Sequence, residues 1–154
     1  MNASYATQRD AGKNPLSYRV DYYAVDASVP VGTFTLLLGY ELLGSDDGRA
    51  GFSTPLATLH KFQGFTDLFL NTPANGVEDL YATVSTTRNA LSLSATWHRF
   101  TAARGGMDYG SEWSLIAGYR FTTAFSAELK YADYESEGFA VDTRKLWLTL
   151  NLAL

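Results

Sequence analysis

His98 is the residue whose neighbours along the chain most suggest catalysis. Ser94 and Thr96 precede it by four and two positions, so an extended strand would place all three on one side. A histidine beside a hydroxyl could act as general base for a nucleophilic Ser or Thr, as in hydrolases. However, the sequence contains no Gly-x-Ser-x-Gly turn, and no acid is evident to orient the imidazole. We therefore expect His98 to line a polar wall, and a Ser/His hydrolase is the alternative.

A second group of candidate residues is charged and falls on the polar side of alternating segments. In a polar wall, such residues set the electrostatic field that a passing solute meets. Their signs are balanced, whereas a wall that passes a polyanion should carry an excess of Arg and Lys. Arg120 and Glu128 flank a predicted turn closely enough for a diagonal cross-strand pair. The group comprises Glu41, Glu112, Arg120, Glu128 and Lys130, with Arg19 and Asp21 as further candidates subject to the register at Tyr22 and Tyr23, where a bulge could flip it.

Metal, cofactor and nucleic-acid chemistry have no signature in the sequence. Cysteine is absent, which removes disulfides, thiol catalysis and cysteine-bound metal. The acidic run from Ser45 to Gly48 lacks the ligand spacing of an EF-hand loop, so we interpret it as a polar turn. A net charge of −4 gives no reason to expect the basic face that nucleic acid requires. We predict no cofactor, no metal site and no nucleic-acid partner.

The elements that must position these residues are β-strands, because apolar residues recur with period two. The clearest case is 145–154, where five leucines alternate with Trp147, Thr149, Asn151 and Ala153. Similar alternation marks 34–42, 91–98, 112–121 and 126–132, while 16–29 and 78–85 are strand-like without a clear phase. We count about seven full strands, a short stub at 4–8 and no long helix.

The predicted connections alternate between short and long, as in an up-and-down antiparallel meander. Short turns are expected at 30–32, 86–89 and 122–124, and long polar loops at 8–15, 44–76, 101–111 and 135–143. One end of the sheet therefore carries tight turns and the other end long loops. Outer-membrane barrels show this asymmetry, whereas soluble barrels have no physical need of it.

Two further features indicate that the leucine-bearing side faces hydrocarbon. The opposite side is rich in Ser, Thr, Gly and Ala, where a soluble exterior would carry many Lys and Glu. Aromatic residues lie toward the ends of the leucine stripes, as expected where lipid meets headgroups. A soluble sandwich or barrel with a leucine core is the alternative. The predicted headgroup belt contains Tyr40, Trp97, Trp113 and Tyr131 toward the long loops, Tyr119 toward the turns, and Arg99 at the outer rim.

The fold predicted from these patterns is all-β, an antiparallel up-and-down transmembrane β-barrel of about seven full strands plus an N-terminal stub. Inward side chains such as Ser92, Ser94 and Gly118 are too small to fill an eight-stranded barrel. They suit the wall of a wider, water-filled lumen. The first ten residues also lack the basic and apolar regions of a signal peptide. We therefore expect 1–154 to be a single barrel domain or the C-terminal part of a larger one.

The loop at 44–76 is predicted to be extracellular and to contain a short helix. Thr54 followed by Pro55 is a typical helix start, after which Leu56, Leu59 and Phe62 recur at helical spacing. Loops of this length are usually functional, so we favour a helix that folds inward and narrows the lumen. Packing on the barrel rim or on lipid headgroups is the alternative. The predicted constriction comprises Phe52, Leu56, Leu59, His60, Lys61, Phe62 and Phe65, with His60 and Lys61 solvated rather than catalytic.

Several stretches of the sequence resemble one family of bacterial proteins. They are 16–29 (LSYRVDYYAVDASV), 39–84, 108–121 (DYGSEWSLIAGYRF) and 130–147 (KYADYESEGFAVDTRKLW). Within 39–84 the specific pieces are GSDDG at 44–48 and TPLATLHKFQGF at 54–65. In these pieces the chain is similar to the C-terminal region of alginate-export-type outer-membrane porins of Gram-negative bacteria. The resemblance implies a barrel with more strands than are present here and a passive transport role. It departs from the family at Leu154, since such barrels usually end in an aromatic residue that the assembly machinery reads.

The expected function is a channel in the bacterial outer membrane, not an enzyme, for passive passage of hydrophilic solutes. Export of an acidic, alginate-like polysaccharide is the form of this function that the resemblance implies. The expected partners are outer-membrane lipid, lipopolysaccharide, a small hydrophilic solute or polysaccharide, and the barrel-assembly machinery. Arg99 could meet lipopolysaccharide phosphates or simply extend its guanidinium to water. The alternatives are the Ser/His hydrolase and a small closed barrel with a structural or binding role.

Overall fold

The computed structural model describes residues 1–54 and 63–153, and the regular secondary structure within them is entirely β-strand. Alternation of apolar and polar residues with period two suits a pleated sheet with two different faces. The described residues contain no helix long and apolar enough to cross a membrane. The strands are β1 (Asn2–Arg9), β2 (Arg19–Val31), β3 (Phe34–Leu43), β4 (Ser45–Asp46), β5 (Ala50–Gly51), β6 (Val77–Arg88), β7 (Leu91–Thr101), β8 (Asp108–Arg120), β9 (Phe125–Ser136) and β10 (Thr143–Leu152).

Eight of these strands form one antiparallel sheet in the order β1-β2-β3-β6-β7-β8-β9-β10. Each strand pairs with its sequence neighbour, apart from the small β4–β5 hairpin, which forms a separate sheet within the long loop. The predicted all-β, antiparallel, up-and-down order is therefore confirmed. Among the described residues β1 and β10 have no second partner strand, so the sheet is open.

The connections alternate in length as the sequence predicts. Two-residue turns join β2 to β3 and β6 to β7, and a four-residue connection joins β8 to β9. Gly32 and Asn89 begin the two tight turns with φ of 62° and 55°, a conformation that Gly and Asn adopt most readily. The longer loops, at 10–18, 44–76, 102–107 and 137–142, all leave the opposite end of the sheet. We call this end the loop end.

The N-terminal strand is longer than the predicted stub at 4–8. β1 pairs with β2 over its whole length, from Asn2 opposite Asp26 to Arg9 opposite Arg19. Its alternation is hard to detect in the sequence because Tyr5 is its only large apolar side chain. Pairing with β2, rather than its own hydrophobicity, therefore determines the extent of this strand.

The two faces of the sheet differ sharply in exposure. The four leucines of β10 from Leu146 to Leu152 are between 62% and 67% exposed, and Leu36 and Leu38 of β3 are also exposed. On β3, Gly39, Glu41 and Leu43 point to the other face and are buried. We call the side that carries the exposed leucines the leucine face and the opposite side the polar face.

The buried apolar core lies on the polar face at the loop end. It contains Leu43, Phe69, Val77, Phe100, Ala102, Tyr109 and Tyr134. The Phe69 ring, which comes from the long loop, lies 4.7 Å from the Phe100 ring and 5.8 Å from the Tyr109 ring, centroid to centroid. The core therefore fixes part of the long loop against the polar face rather than packing one sheet against another.

Candidate functional site

Four ionisable side chains from adjacent strands meet on the polar face near the loop end. Glu41 of β3, Asp79 of β6, His98 of β7 and Glu112 of β8 are each between 1% and 7% exposed. The strand register brings them together, because Glu41 lies directly opposite Asp79 and His98 directly opposite Glu112. Buried ionisable groups require hydrogen bonds or opposite charges. The partners of these four residues, which we call the acidic row, therefore define what the site does.

Glu41 is satisfied by two neutral donors. The Tyr22 hydroxyl donates to Oε1 at 2.6 Å, and Gln63 Nε2 donates to Oε2 at 2.6 Å. Gln63 belongs to the long loop and is itself buried. This carboxylate therefore joins β2, β3 and the loop. The alternation of β3 places Glu41 on the polar face, but no periodic pattern links it to Gln63.

His98 is held by a carboxylate on the neighbouring strand. Its Nδ1 lies 3.0 Å from both carboxylate oxygens of Asp79. The imidazole stacks between the rings of Tyr81 and Phe100, with centroid separations of 5.6 Å and 5.4 Å. These contacts fix the orientation of the ring and direct Nδ1 to Asp79. No hydrogen bond to Nε2 forms within the described part of the chain, so this nitrogen is available to a ligand.

Asp79 is the orienting acid that sequence analysis did not find. It lies in the stretch 78–85, whose phase is unclear in the sequence, and pairing with β3 places it on the polar face. A hydrolase also needs a nucleophile in contact with the base. The Thr96 hydroxyl instead lies 2.9 Å from the Thr83 hydroxyl, and no Ser or Thr of residues 1–54 and 63–153 bonds to His98. The geometry thus provides an oriented base without a nucleophile.

Glu112 binds the backbone of the long loop. Its carboxylate accepts the backbone N–H groups of Phe65 and Thr66, the latter at 3.2 Å, and the Thr66 hydroxyl. The Ser114 hydroxyl donates to the same carboxylate at 2.6 Å. Gly64 has a φ of 80°, and a Cβ at this position would overlap the carboxylate. Glycine at 64 therefore permits the close approach that these hydrogen bonds require.

Residues 63–69, which we call the inner segment, cross the polar face beyond the acidic row. The Lys145 ammonium of β10 forms an ion pair with Asp67 at 3.1 Å. The Lys130 ammonium of β9 lies 5.9 Å from the centre of the Phe65 ring. The inner segment therefore touches the sheet from β3 to β10, and the long loop folds over the polar face instead of extending away from it.

Two of the predicted constriction residues lie on this face. Phe65 belongs to the inner segment, and Phe52 packs on the Tyr22 ring at a centroid distance of 5.3 Å. The remaining five, Leu56, Leu59, His60, Lys61 and Phe62, lie outside the described residues, as does the helix predicted after Thr54.

The other predicted wall residues divide between the two faces. Lys130 and Glu128 lie on the polar face and pair with each other at 3.1 Å. Arg120 also lies on this face but forms no ion pair in the described structure, so the predicted pairing with Glu128 is wrong. Glu128 pairs within its own strand instead.

Arg19 and Asp21 lie on the leucine face, contrary to expectation. Tyr22 is directly opposite Leu43, so Tyr22 takes the polar face and both neighbours of Tyr22 point the other way. Asp21 accepts a hydrogen bond from the Tyr5 hydroxyl at 3.1 Å. β2 has no bulge at Tyr22 and Tyr23. The polar side chains of Arg19 and Asp21 lie on the leucine face at the start of this strand.

The predicted belt residues lie on the leucine face. Trp97 is directly opposite Trp113, which is 53% exposed, and Tyr131 donates its hydroxyl to Asp133 at 2.9 Å. Tyr40 shares the β3 stripe of Leu36 and Leu38, and Tyr119 is near the turn end. Arg99 is bound by two carboxylates, those of Asp108 and Glu137, the latter at 3.2 Å. A lipid phosphate would have to compete with both.

A cavity of about 420 Å³ opens on the polar face beside the acidic row. Side chains of β1, β2, β3, β6 and β7 line it together with Gln63 and Phe65 of the inner segment. Within residues 1–54 and 63–153, no three His, Asp or Glu side chains are arranged to hold a metal ion. The cavity thus presents carboxylates, hydroxyls and aromatic rings as its binding groups.

Comparison with other proteins yields no match to a protein-family model, to a curated protein or to a solved structure. The resemblance to alginate-export-type porins therefore stays a prediction from the sequence stretches quoted above.

Proposed function

We propose that this chain forms part of the wall of a channel in the outer membrane of a Gram-negative bacterium. In this proposal the leucine face meets lipid and the polar face lines a water-filled lumen. Small hydrophilic solutes diffuse through the lumen past the inner segment, which narrows it. Passage of an acidic polysaccharide, as the family resemblance implies, is the alternative cargo.

The observation that carries the proposal is the exposure of the leucine face. Burying a leucine side chain stabilises a protein by roughly 1.5–3 kcal/mol. The four leucines of β10, at 62–67% exposure, therefore forgo several kcal/mol if that face meets water. Meanwhile the opposite face buries four ionisable groups. Hydrocarbon outside and water inside account for both features, whereas a soluble antiparallel sheet buries its apolar side.

The unpaired edges of β1 and β10 must also be satisfied if the sheet spans a membrane. Unpaired backbone N–H and C=O groups cost several kcal/mol each in hydrocarbon, so strands cross a membrane only in closed barrels. The outer edges of β1 and β10 must then pair with each other or with additional strands. The family resemblance favours additional strands, since it implies a larger barrel.

Ion conductance tests the proposal directly. The chain, refolded in detergent with its β-sheet verified by circular dichroism, is inserted into planar lipid bilayers, and we expect stepwise conductance. Replacing 52–70 with a short Gly-Ser linker should raise the conductance of each step, because the inner segment no longer occupies the lumen. Replacing the loop at 10–18 in the same way is the control, since it does not contact the acidic row. Folded protein that inserts as a closed barrel without conducting would contradict the channel.

The Asp79–His98 pair favours one second candidate, an outer-membrane hydrolase. Asp79 orients the imidazole as an acid does in hydrolytic triads. The prediction is hydrolysis of a lipid or peptide ester that His98→Ala abolishes and His98→Gln does not restore. Turnover that is undiminished in His98→Ala would remove this candidate.

A further inference from the structure

We infer that the cavity beside the acidic row binds a small hydroxylated organic cation, such as a protonated amino sugar. This inference names the solute class of the proposed channel and so rests on that proposal. At about 420 Å³ the cavity falls within the range of small-molecule sites. Its charge, one imidazole nitrogen of its lining and its aromatic rings all favour this class.

The charge of the lining is negative. Asp26, Glu41 and Asp79 contribute carboxylates, and among residues 1–54 and 63–153 no Lys or Arg lines the cavity. Two lysines on the described part of the same face are paired elsewhere, Lys130 with Glu128 and Lys145 with Asp67. A cation entering the cavity is therefore attracted, and an anion is repelled. Hydrogen bonding satisfies Glu41 and Asp79 but leaves their negative field in place.

An imidazole nitrogen in the lining offers a ligand a hydrogen bond independently of this charge. The His98 side chain is 9% exposed, lines the cavity and places Nδ1 against Asp79. Its Nε2 has no hydrogen-bond partner among residues 1–54 and 63–153. When Nδ1 carries the ring proton toward Asp79, Nε2 can accept a hydrogen bond. A hydroxyl or ammonium group in the cavity could donate that hydrogen bond.

Aromatic rings complete the site. Tyr22, Phe65 and Tyr81 line the cavity, and the Tyr81 ring stacks on His98. Their π-faces attract cations and pack against the apolar faces of a sugar ring. An acidic sugar would pack on the same rings, but its own carboxylate would be repelled by the three carboxylates of the cavity. Charge therefore favours the amino sugar over the acidic sugar.

Calorimetric titration of the detergent-folded chain with three sugars of equal size tests the inference. The probes are glucosamine, glucose and glucuronate at about pH 6, where the amine is protonated and the uronic acid ionised. We expect glucosamine to bind most tightly and glucuronate most weakly. Asp26→Asn should weaken glucosamine binding about threefold to tenfold, the range for losing one charge near a partly exposed site. Asp10→Asn, the same chemical change in the loop at 10–18 outside this cavity, should leave glucosamine affinity unchanged.

Several outcomes overturn the inference: equal affinity for all three sugars, no binding, preference for glucuronate, or equal effects of the two variants. The test is separate from that of the channel, because titration needs no membrane. A protein that conducts but does not prefer the cationic sugar would support the proposed function and contradict the inference. A protein that binds glucosamine but does not conduct would support the binding site and contradict the channel.

Discussion

The Glu112 carboxylate should hold the inner segment against the sheet, and Glu112→Gln should release it. This side chain is 1% exposed and accepts hydrogen bonds from two backbone N–H groups and two hydroxyls. One carboxylate oxygen serves Phe65 and Ser114, and the other serves both donors of Thr66. Glutamine preserves the size and shape of the side chain but turns one acceptor into a donor.

The free-energy cost of Glu112→Gln depends on how many donors lose their hydrogen-bond acceptor. If the amide oxygen keeps Phe65 and Ser114, the new NH₂ group faces the Thr66 N–H. The Thr66 hydroxyl can rotate to accept, but the N–H cannot. Leaving one buried donor unsatisfied costs about 1–3 kcal/mol. Because each 1.4 kcal/mol is a factor of ten, opening of the inner segment should become roughly 5-fold to 150-fold more frequent.

Amide hydrogen exchange read by mass spectrometry measures this opening. We expect faster exchange in peptides that cover 63–69 and unchanged exchange in those from β9 and β10. Glu128→Gln is the matched control, since it makes the same chemical change on the same face, where Glu128 contacts Lys130 instead of the loop. Unchanged protection of the inner segment in Glu112→Gln, or equal changes in both variants, would refute the role assigned to Glu112.

Three further predictions concern the faces and the inner segment. Leu148→Lys should destabilise the chain folded in lipid vesicles by about 2–4 kcal/mol, measured by urea unfolding, whereas Thr149→Lys on the polar face should change it little. Gly64→Ala should increase exchange of the inner segment far more than Gly105→Ala does, because both positions have positive φ but only the first would overlap a carboxylate. Lys145→Gln should change that exchange less than about fivefold, since a partly exposed ion pair contributes roughly 0–1 kcal/mol.

The two-faced sheet could be predicted because each strand carries its own evidence for it. Five leucines at alternate positions of the last stretch identify a strand and its apolar side without reference to any neighbour. Turn residues such as Gly32 and Asn89 then set the connections. The strands, their order and the side of Glu41 or Trp113 all follow from such local patterns.

Local patterns failed where a strand alternates weakly. The sequence predicts Arg19 and Asp21 on the polar side, subject to the register at Tyr22 and Tyr23, but both side chains point to the leucine face. Two large aromatic neighbours give no phase by themselves, and only pairing with β3 fixes it. Asp79 could not be assigned for the same reason, because 78–85 alternates weakly. Its face becomes clear only from pairing with β3, which places Tyr81 opposite Gly39.

Contacts of the long loop lay beyond sequence reasoning for a different reason. The hydrogen bond between Gln63 and Glu41 joins residues 22 positions apart, and the ion pair between Asp67 and Lys145 joins residues 78 apart. No period connects an irregular segment to a strand. The inward fold of the loop could be favoured from its length, but the carboxylates that bind it could be assigned only from three-dimensional structure.

One sequence feature nevertheless indicates where such a loop will fold. Along the polar face of β7 the side chains grow from Ser92 and Ser94 near the turn to His98 and Phe100 near the long loops. On β8, beyond Arg120 at the turn, the polar face changes from Gly118 to buried Glu112 near the loop end. Small side chains leave room for water, whereas large acceptors and rings become buried only if something covers them. A polar stripe that enlarges toward the long-loop end of adjacent strands therefore predicts a loop folded inward over that end.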